Sequence, residues 1–117
     1  MARTLITVPR AAKSGEIIEI KALVQHPMET GYRRSGEGDL LARDLIRRFT
    51  CRFVAPANAS AAGDAGELVF AATFHAAIAA NPYLSFNLRT VSSGTLVFTW
   101  EGDNGFVQRV TANLLVA

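Results

Sequence analysis

The spacing of apolar residues predicts an all-β sandwich of about seven antiparallel strands in a single domain spanning residues 1–117. Three observations carry this. Bulky residues alternate along Gly94 to Gly105: Leu96, Phe98 and Trp100 point one way and Thr95, Thr99 and Glu101 the other, until Gly102-Asp103-Asn104-Gly105 closes the run in a hairpin turn. Runs of the same kind recur between clusters of Gly, Pro, Asn, Asp or Ser. No long amphipathic helix competes with them. A chain of 117 residues buries roughly two-thirds of the surface it exposes when unfolded, so it supports a real core.

The first run is Leu5 to Val8, stopped by Pro9. The second, Glu16 to Gln25, turns Ile18, Ile20, Ala22 and Val24 to one face and Glu19, Lys21 and Gln25 to the other, the pattern of a half-buried strand. In the third, Leu45 to Phe53, the inward set is Leu45, Phe49, Cys51 and Phe53, against Arg48, Thr50 and Arg52. The fourth, Leu68 to Phe74, places Leu68, Phe70, Ala72 and Phe74 together; the fifth, Tyr83 to Thr90, does the same with Leu84, Phe86 and Leu88. The Trp100 strand is the sixth. The seventh, Phe106 to Val116, alternates Val110, Ala112, Leu114 and Val116 against Arg109, Thr111 and Asn113.

Two segments break the alternation. Residues 27–44 are longer than a connection requires, which marks a binding or disordered loop, and their second half is expected to form one helical turn. Residues 55–66 are alanine-rich and nearly uncharged, the composition of a loose hairpin excursion. From Phe74 to Asn81 the alanines favour one short helix, which Pro82 ends by restricting Asn81.

Composition narrows the function. Hydrophobic residues make up 50% of the chain, which excludes disorder and leaves more apolar surface than a small monomer hides; the surplus points to a partner. The net charge is +2, and only two of the twelve basic residues are lysines. Six arginines lie between Arg33 and Arg52, but Glu37, Asp39 and Asp44 offset them, as in a solvated mixed-charge loop, so nucleic acid is not the expected partner. The single cysteine, Cys51, leaves no intrachain disulfide. The first ten residues lack an apolar stretch of signal-peptide length and no later segment is long enough to cross a bilayer, so the expectation is a cytoplasmic chain or one exported with help.

Candidate chemistry is sparse. Two histidines, one cysteine and two methionines suggest blue copper, but His75 is far from Cys51 in sequence and Met28 follows the first histidine, so the ligands do not share a loop. A mononuclear iron centre with four histidines and a cysteine needs more histidines than the two present, and zinc lacks clustered ligands. No metal, cofactor or catalytic residue is therefore expected. Cys51, inward among aromatics, reads as an inert thiol with a raised pKa, and the glycines at 31, 36 and 38 do not form a phosphate loop. Asp39 and Asp44 read as solvent-facing carboxylates, and Trp100 as a core anchor. His26-Pro27-Met28-Glu29-Thr30-Gly31 suits either a contact surface or an ordinary strand-ending turn.

Four segments, Val-Gln-His-Pro-Met-Glu-Thr-Gly at 24–31, Ile-Arg-Arg-Phe-Thr-Cys at 46–51, Ala-Asn-Pro-Tyr-Leu-Ser-Phe at 80–86 and the Gly94 to Gly105 block, together resemble the SoxZ family, the small subunit of the SoxYZ sulfur carrier. The likeness runs nearly end to end and departs at 55–66, where family members usually have a tight hairpin. It implies an immunoglobulin-like β-sandwich, not an enzyme, that pairs with a SoxY-like chain whose C-terminal Gly-Gly-Cys-Gly-Gly arm carries sulfur adducts during thiosulfate oxidation. Through that chain it would meet other sulfur-oxidising enzymes. The last residues here, Thr-Ala-Asn-Leu-Leu-Val-Ala, hold no such arm.

The role implied is a rigid body for a moving arm. The residues expected to contact the partner are His26, Met28, Glu29, Tyr32 and Arg33 from the first loop, and Asn81, Pro82, Tyr83 and Phe86 from the second segment. The resemblance also implies a periplasmic location, reached together with a signal-bearing partner. Separately, an exposed apolar patch can find a substitute partner when the chain is made alone, which makes a homo-oligomer a further expectation. Two other readings stand beside it. One is a stand-alone module that binds a small ligand or peptide through the 27–44 loop; the other is a thiol enzyme built on Cys51.

Overall fold

The computed structural model of the chain describes residues 3–32, 34–55, 66–75 and 78–117. Eight strands run through them: β1 (Thr4–Thr7), β2 (Ala11–Ala12), β3 (Ile17–Val24), β4 (Ile46–Val54), β5 (Glu67–Thr73), β6 (Tyr83–Arg89), β7 (Gly94–Gly102) and β8 (Val107–Val116). They form a three-stranded sheet in the order β1-β3-β6 and a five-stranded sheet in the order β2-β8-β7-β4-β5. β2 runs parallel to β8, and the other pairs are antiparallel. The all-β sandwich read from the sequence is thus present, with each of the seven expected strands. β2 is the addition, since a two-residue Ala-Ala strand leaves no periodic trace.

The inner faces follow from the period of two. Ile18, Ile20, Ala22 and Val24 are buried, and the first three stand opposite Leu88, Phe86 and Leu84 of β6 along one register. Opposite them lie Phe49, Cys51, Leu96, Phe98, Trp100 and Leu114 of the larger sheet. Aromatic rings lock the layers together. Phe49 has Trp100 at 5.1 Å, Phe70 at 6.1 Å and Phe86 at 6.2 Å, while Phe70 and Phe86 stack at 4.2 Å with 4° between their planes. Each such contact adds about 0.5–1.5 kcal/mol beyond the area it buries.

Four expectations need correction. β7 is not half-buried: Val97 and Thr99 on its outer side are buried as well. It lies between β4 and β8, where Arg52 stands opposite Val97 and Arg109 opposite Thr99, whose hydroxyl accepts from Arg109 Nε at 3.3 Å. Leu68 faces outward, 43% exposed, because the pairing steps from Cys51↔Phe70 to Arg52↔Leu68 and leaves Val69 as an extra residue. One inserted residue reverses every face beyond it.

No helical turn occurs in 27–44 among the described residues; bridges Glu29↔Asp44 and Arg34↔Leu40 fold the segment into a hairpin-like excursion instead. Its glycines at 31, 36 and 38 and the polar run between them favour turns over helix. In 74–81 the described residues hold no helix, and Ile78 N–H donates to His75 O at 3.1 Å; residues 76 and 77 of the expected helix lie outside the described residues. The excursion expected at 55–66 lies almost wholly outside the described residues.

Candidate functional site

β3 ends at a corner tied to the segment that precedes β6. Val24 N–H donates to Pro82 O at 3.3 Å, His26 N–H to Asn81 Oδ1 at 2.9 Å, and Asn81 N–H returns to His26 O at 2.8 Å. Asn81 adopts φ 54, a left-handed conformation that asparagine tolerates better than most residues. The two expected contact segments, far apart in sequence, are therefore one structural unit.

His26 is the pin of this corner. It is 4% exposed, its Nδ1 accepts the Met28 N–H at 2.9 Å, and its ring meets Phe106 edge-on at 4.9 Å. Because Nδ1 accepts, the neutral ring carries its proton on Nε2, which lies 3.5 Å from Asp44 Oδ1 and makes no hydrogen bond. Met28 is equally buried; held at φ 49, it turns its Sδ to the Ile46 N–H at 3.3 Å. Glu29 and Asp44 then exchange backbone hydrogen bonds of 2.7 and 2.8 Å, which close the base of the excursion.

A second clasp holds that base from the β7–β8 turn. Asp103 accepts from Arg47 Nε at 2.7 Å with Oδ1, and from Arg43 Nε and Leu45 N–H, each at 3.1 Å, with Oδ2. The Arg47 hydrogen bond, aided by the Leu45 amide and the Arg43 charge, holds the Asp103 carboxyl below its ordinary range. Arg43 and Arg47 are thus bound within the chain. Arg34 turns to Gly38 O at 2.8 Å and fastens the tip of the excursion.

The expected contact residues divide by burial. His26, Met28, Pro82 and Phe86 are inside the fold, Phe86 against Phe70 and Phe49. They shape the surface and do not present it. Tyr32, 86% exposed, Tyr83, 55% exposed, and Asn81 lie on the surface, and Glu29 is partly covered. Arg33 lies outside the described residues. Sequence reasoning missed Asp103, Phe106 and the bracing role of Asp44, which is half-buried against His26 and not simply solvent-facing. The Gly-Asp-Asn-Gly cluster had marked a turn, but only the fold shows that its aspartate reaches the other loop.

Cys51 is sealed in the core between Phe70 and Phe98 on the flanking strands, and burial pushes its thiol up to about 12. Such a thiol carries almost no thiolate near neutrality. Among the described residues, no three His, Cys, Asp or Glu side chains gather as metal ligands.

Comparison with known proteins places this architecture. No curated protein matches the chain at a significant level. Among solved structures, a superoxide reductase (neelaredoxin) from Ignicoccus hospitalis is 14% identical with a TM-score of 0.70, covering 97% of this chain and 80% of its own. The sulfur carrier protein SoxY from Chlorobium limicola f. thiosulfatophilum is 13% identical with a TM-score of 0.60, covering 97% and 78%. At such identities the likeness is one of fold. The family model described as "Sulphur oxidation protein SoxZ" matches residues 6–113, from the first strand to the last. The chain belongs to the SoxZ family of sulfur-oxidation proteins.

Proposed function

We propose that the chain is the non-catalytic subunit of a SoxYZ-type sulfur carrier, pairing one to one with a SoxY-like chain that holds sulfur intermediates on a C-terminal cysteine. The observation that carries this is the SoxZ match over residues 6–113. The geometry supports it in two ways. The sole cysteine is sealed behind aromatic rings and is no nucleophile at neutral pH. The loops are pinned to a stiff sandwich by His26, Asn81 and Asp103, as suits a body that other enzymes recognise while an arm moves. The pair would work in the periplasm, this chain travelling there with its signal-bearing partner.

Native mass spectrometry of the chain co-expressed with a SoxY-like product of a neighbouring gene tests the pairing. A one-to-one complex whose partner accepts a sulfur adduct supports the reading. No complex at micromolar concentration sinks it and favours a stand-alone module that binds through the 27–44 loop. Fractionation tests the location: with the partner's signal deleted, both chains should stay in the cytoplasm, and export of this chain alone would contradict joint transport.

A further inference from the structure

The register of the three-stranded sheet arranges its outward side chains in rows. Leu5 of β1 stands opposite Leu23 of β3, and Leu23 opposite Tyr83 of β6. Their inward neighbours Ile6, Ala22 and Leu84 belong to the core, so this row crosses the full width of the sheet on its solvent side. Leu5 is 64% and Tyr83 55% exposed, with Leu23 partly exposed between them. The next outward row, Thr7, Lys21 and Ser85, is polar. Its charge is satisfied within the chain: Lys21 Nζ lies 3.9 Å from Glu19 Oε1, and Ser85 donates to Glu19 Oε2 at 2.7 Å. An apolar strip beside a polar row has the anatomy of an interface core and its rim.

The outer face of the five-stranded sheet is built differently. Its middle carries Arg52, Arg109, Thr50 and Thr99, and its exposed apolar residues do not form a row: Val107 and Leu115 stand near the two ends of β8, and Leu68 lies on the edge strand β5 beside Arg52. Single apolar residues on a surface are ordinary; a row of three across a sheet is not.

We propose that the Leu5–Leu23–Tyr83 row is the seat of the SoxY-like chain, sheet face against sheet face; this rests on the pairing proposed above. The occupant follows from fold. SoxY of Chlorobium limicola shares the fold over 97% of this chain and 78% of its own at a TM-score of 0.60, so a SoxY-like partner is expected to bring an equivalent three-stranded sheet. Two chains of one fold that meet through equivalent faces make a pseudo-twofold pair, the relation most oligomers of like chains use. Facing sheets pack about 10 Å apart with interdigitating side chains, which two leucines and a tyrosine can fill while the phenol keeps its hydroxyl at the wet rim.

The test measures pairing of the SoxY-like product with wild-type chain and with L5E, Y83E, V107E and L115E, each checked for an unchanged melting temperature. L5E and Y83E should weaken pairing by at least about thirtyfold, because each buries an unpaired carboxylate at an interface centre, while V107E and L115E stay within about threefold. Row variants that pair like wild type, or comparison variants that weaken it equally, overturn the proposal. So does a row whose variants abolish self-association of the chain but leave the heterodimer intact, since the occupant is then a second copy. Should a glutamate variant melt early, maleimide labelling of L5C and Y83C replaces it, with Cys51 silent in the core: protection on pairing supports the seat and unchanged labelling overturns it. A wild-type chain that does not pair at all defeats the function itself; a wild-type chain that pairs regardless of the row defeats only the seat.

Discussion

Replacing His26 by alanine removes three contacts at once: the acceptor for the Met28 N–H, the edge against Phe106 and the neighbour of Asp44. The Met28 amide, buried beside it, is left without that acceptor, and the loss of stability expected is about 2–4 kcal/mol, read from urea unfolding. Nitrogen-15 NMR of the neutral His26 ring should show its proton on Nε2; a proton on Nδ1 would contradict the bond to Met28. At this scale the sequence showed which residues matter better than how they act. His26 and Met28 stood out as a contact surface or a turn because their chemistry is unusual, yet both are buried. Burial at a strand's end depends on what folds over it, here Phe106 and Asn81 from distant segments, and nothing near residue 26 records that.

The strands were legible because a period of two survives wherever one face is wet. Ile18, Ile20, Ala22 and Val24, and Val110, Ala112 and Leu114, fall on the sides their alternation predicts. The bulge in β5 was not legible, for a simple reason: Leu68, Val69 and Phe70 are all apolar, and an extra residue within an unbroken apolar run leaves the pattern unmarked. Closure of the 27–44 excursion was equally hidden, since Asp103 reaches Arg43 and Arg47 only after β4 and β7 pair.

That clasp makes a pH prediction. The folded value of Asp103 lies below its unfolded one, so its stabilisation is complete above the unfolded value and is lost as pH falls through the folded one. D103N should therefore melt earlier than wild type at neutral pH and converge with it in acid. A gap that persists unchanged at low pH would show that the carboxylate's charge is not what holds the loop. Hydrogen exchange at the Glu29 and Asp44 amides should quicken in the same variant, because their paired backbones close the base the clasp secures.

Taken whole, the molecule is a sandwich whose thiol is inward and whose apolar row is outward. Its one thiol is walled off, its loop arginines Arg43 and Arg47 are bound to its own Asp103, and an apolar row is left open on the smaller sheet. The central claim is that this chain supplies the body of a sulfur carrier and none of the covalent chemistry. The most direct test is intact-mass analysis of thiosulfate-dependent loading by the sulfur-oxidising enzymes, on complexes of the SoxY-like partner with wild-type chain and with Cys51→Ala. C51A should load the partner's terminal cysteine to the wild-type extent, with no adduct on this chain, while its melting temperature falls modestly from the atom lost in the core. An adduct on Cys51, or loss of loading in a folded C51A complex, would contradict the account.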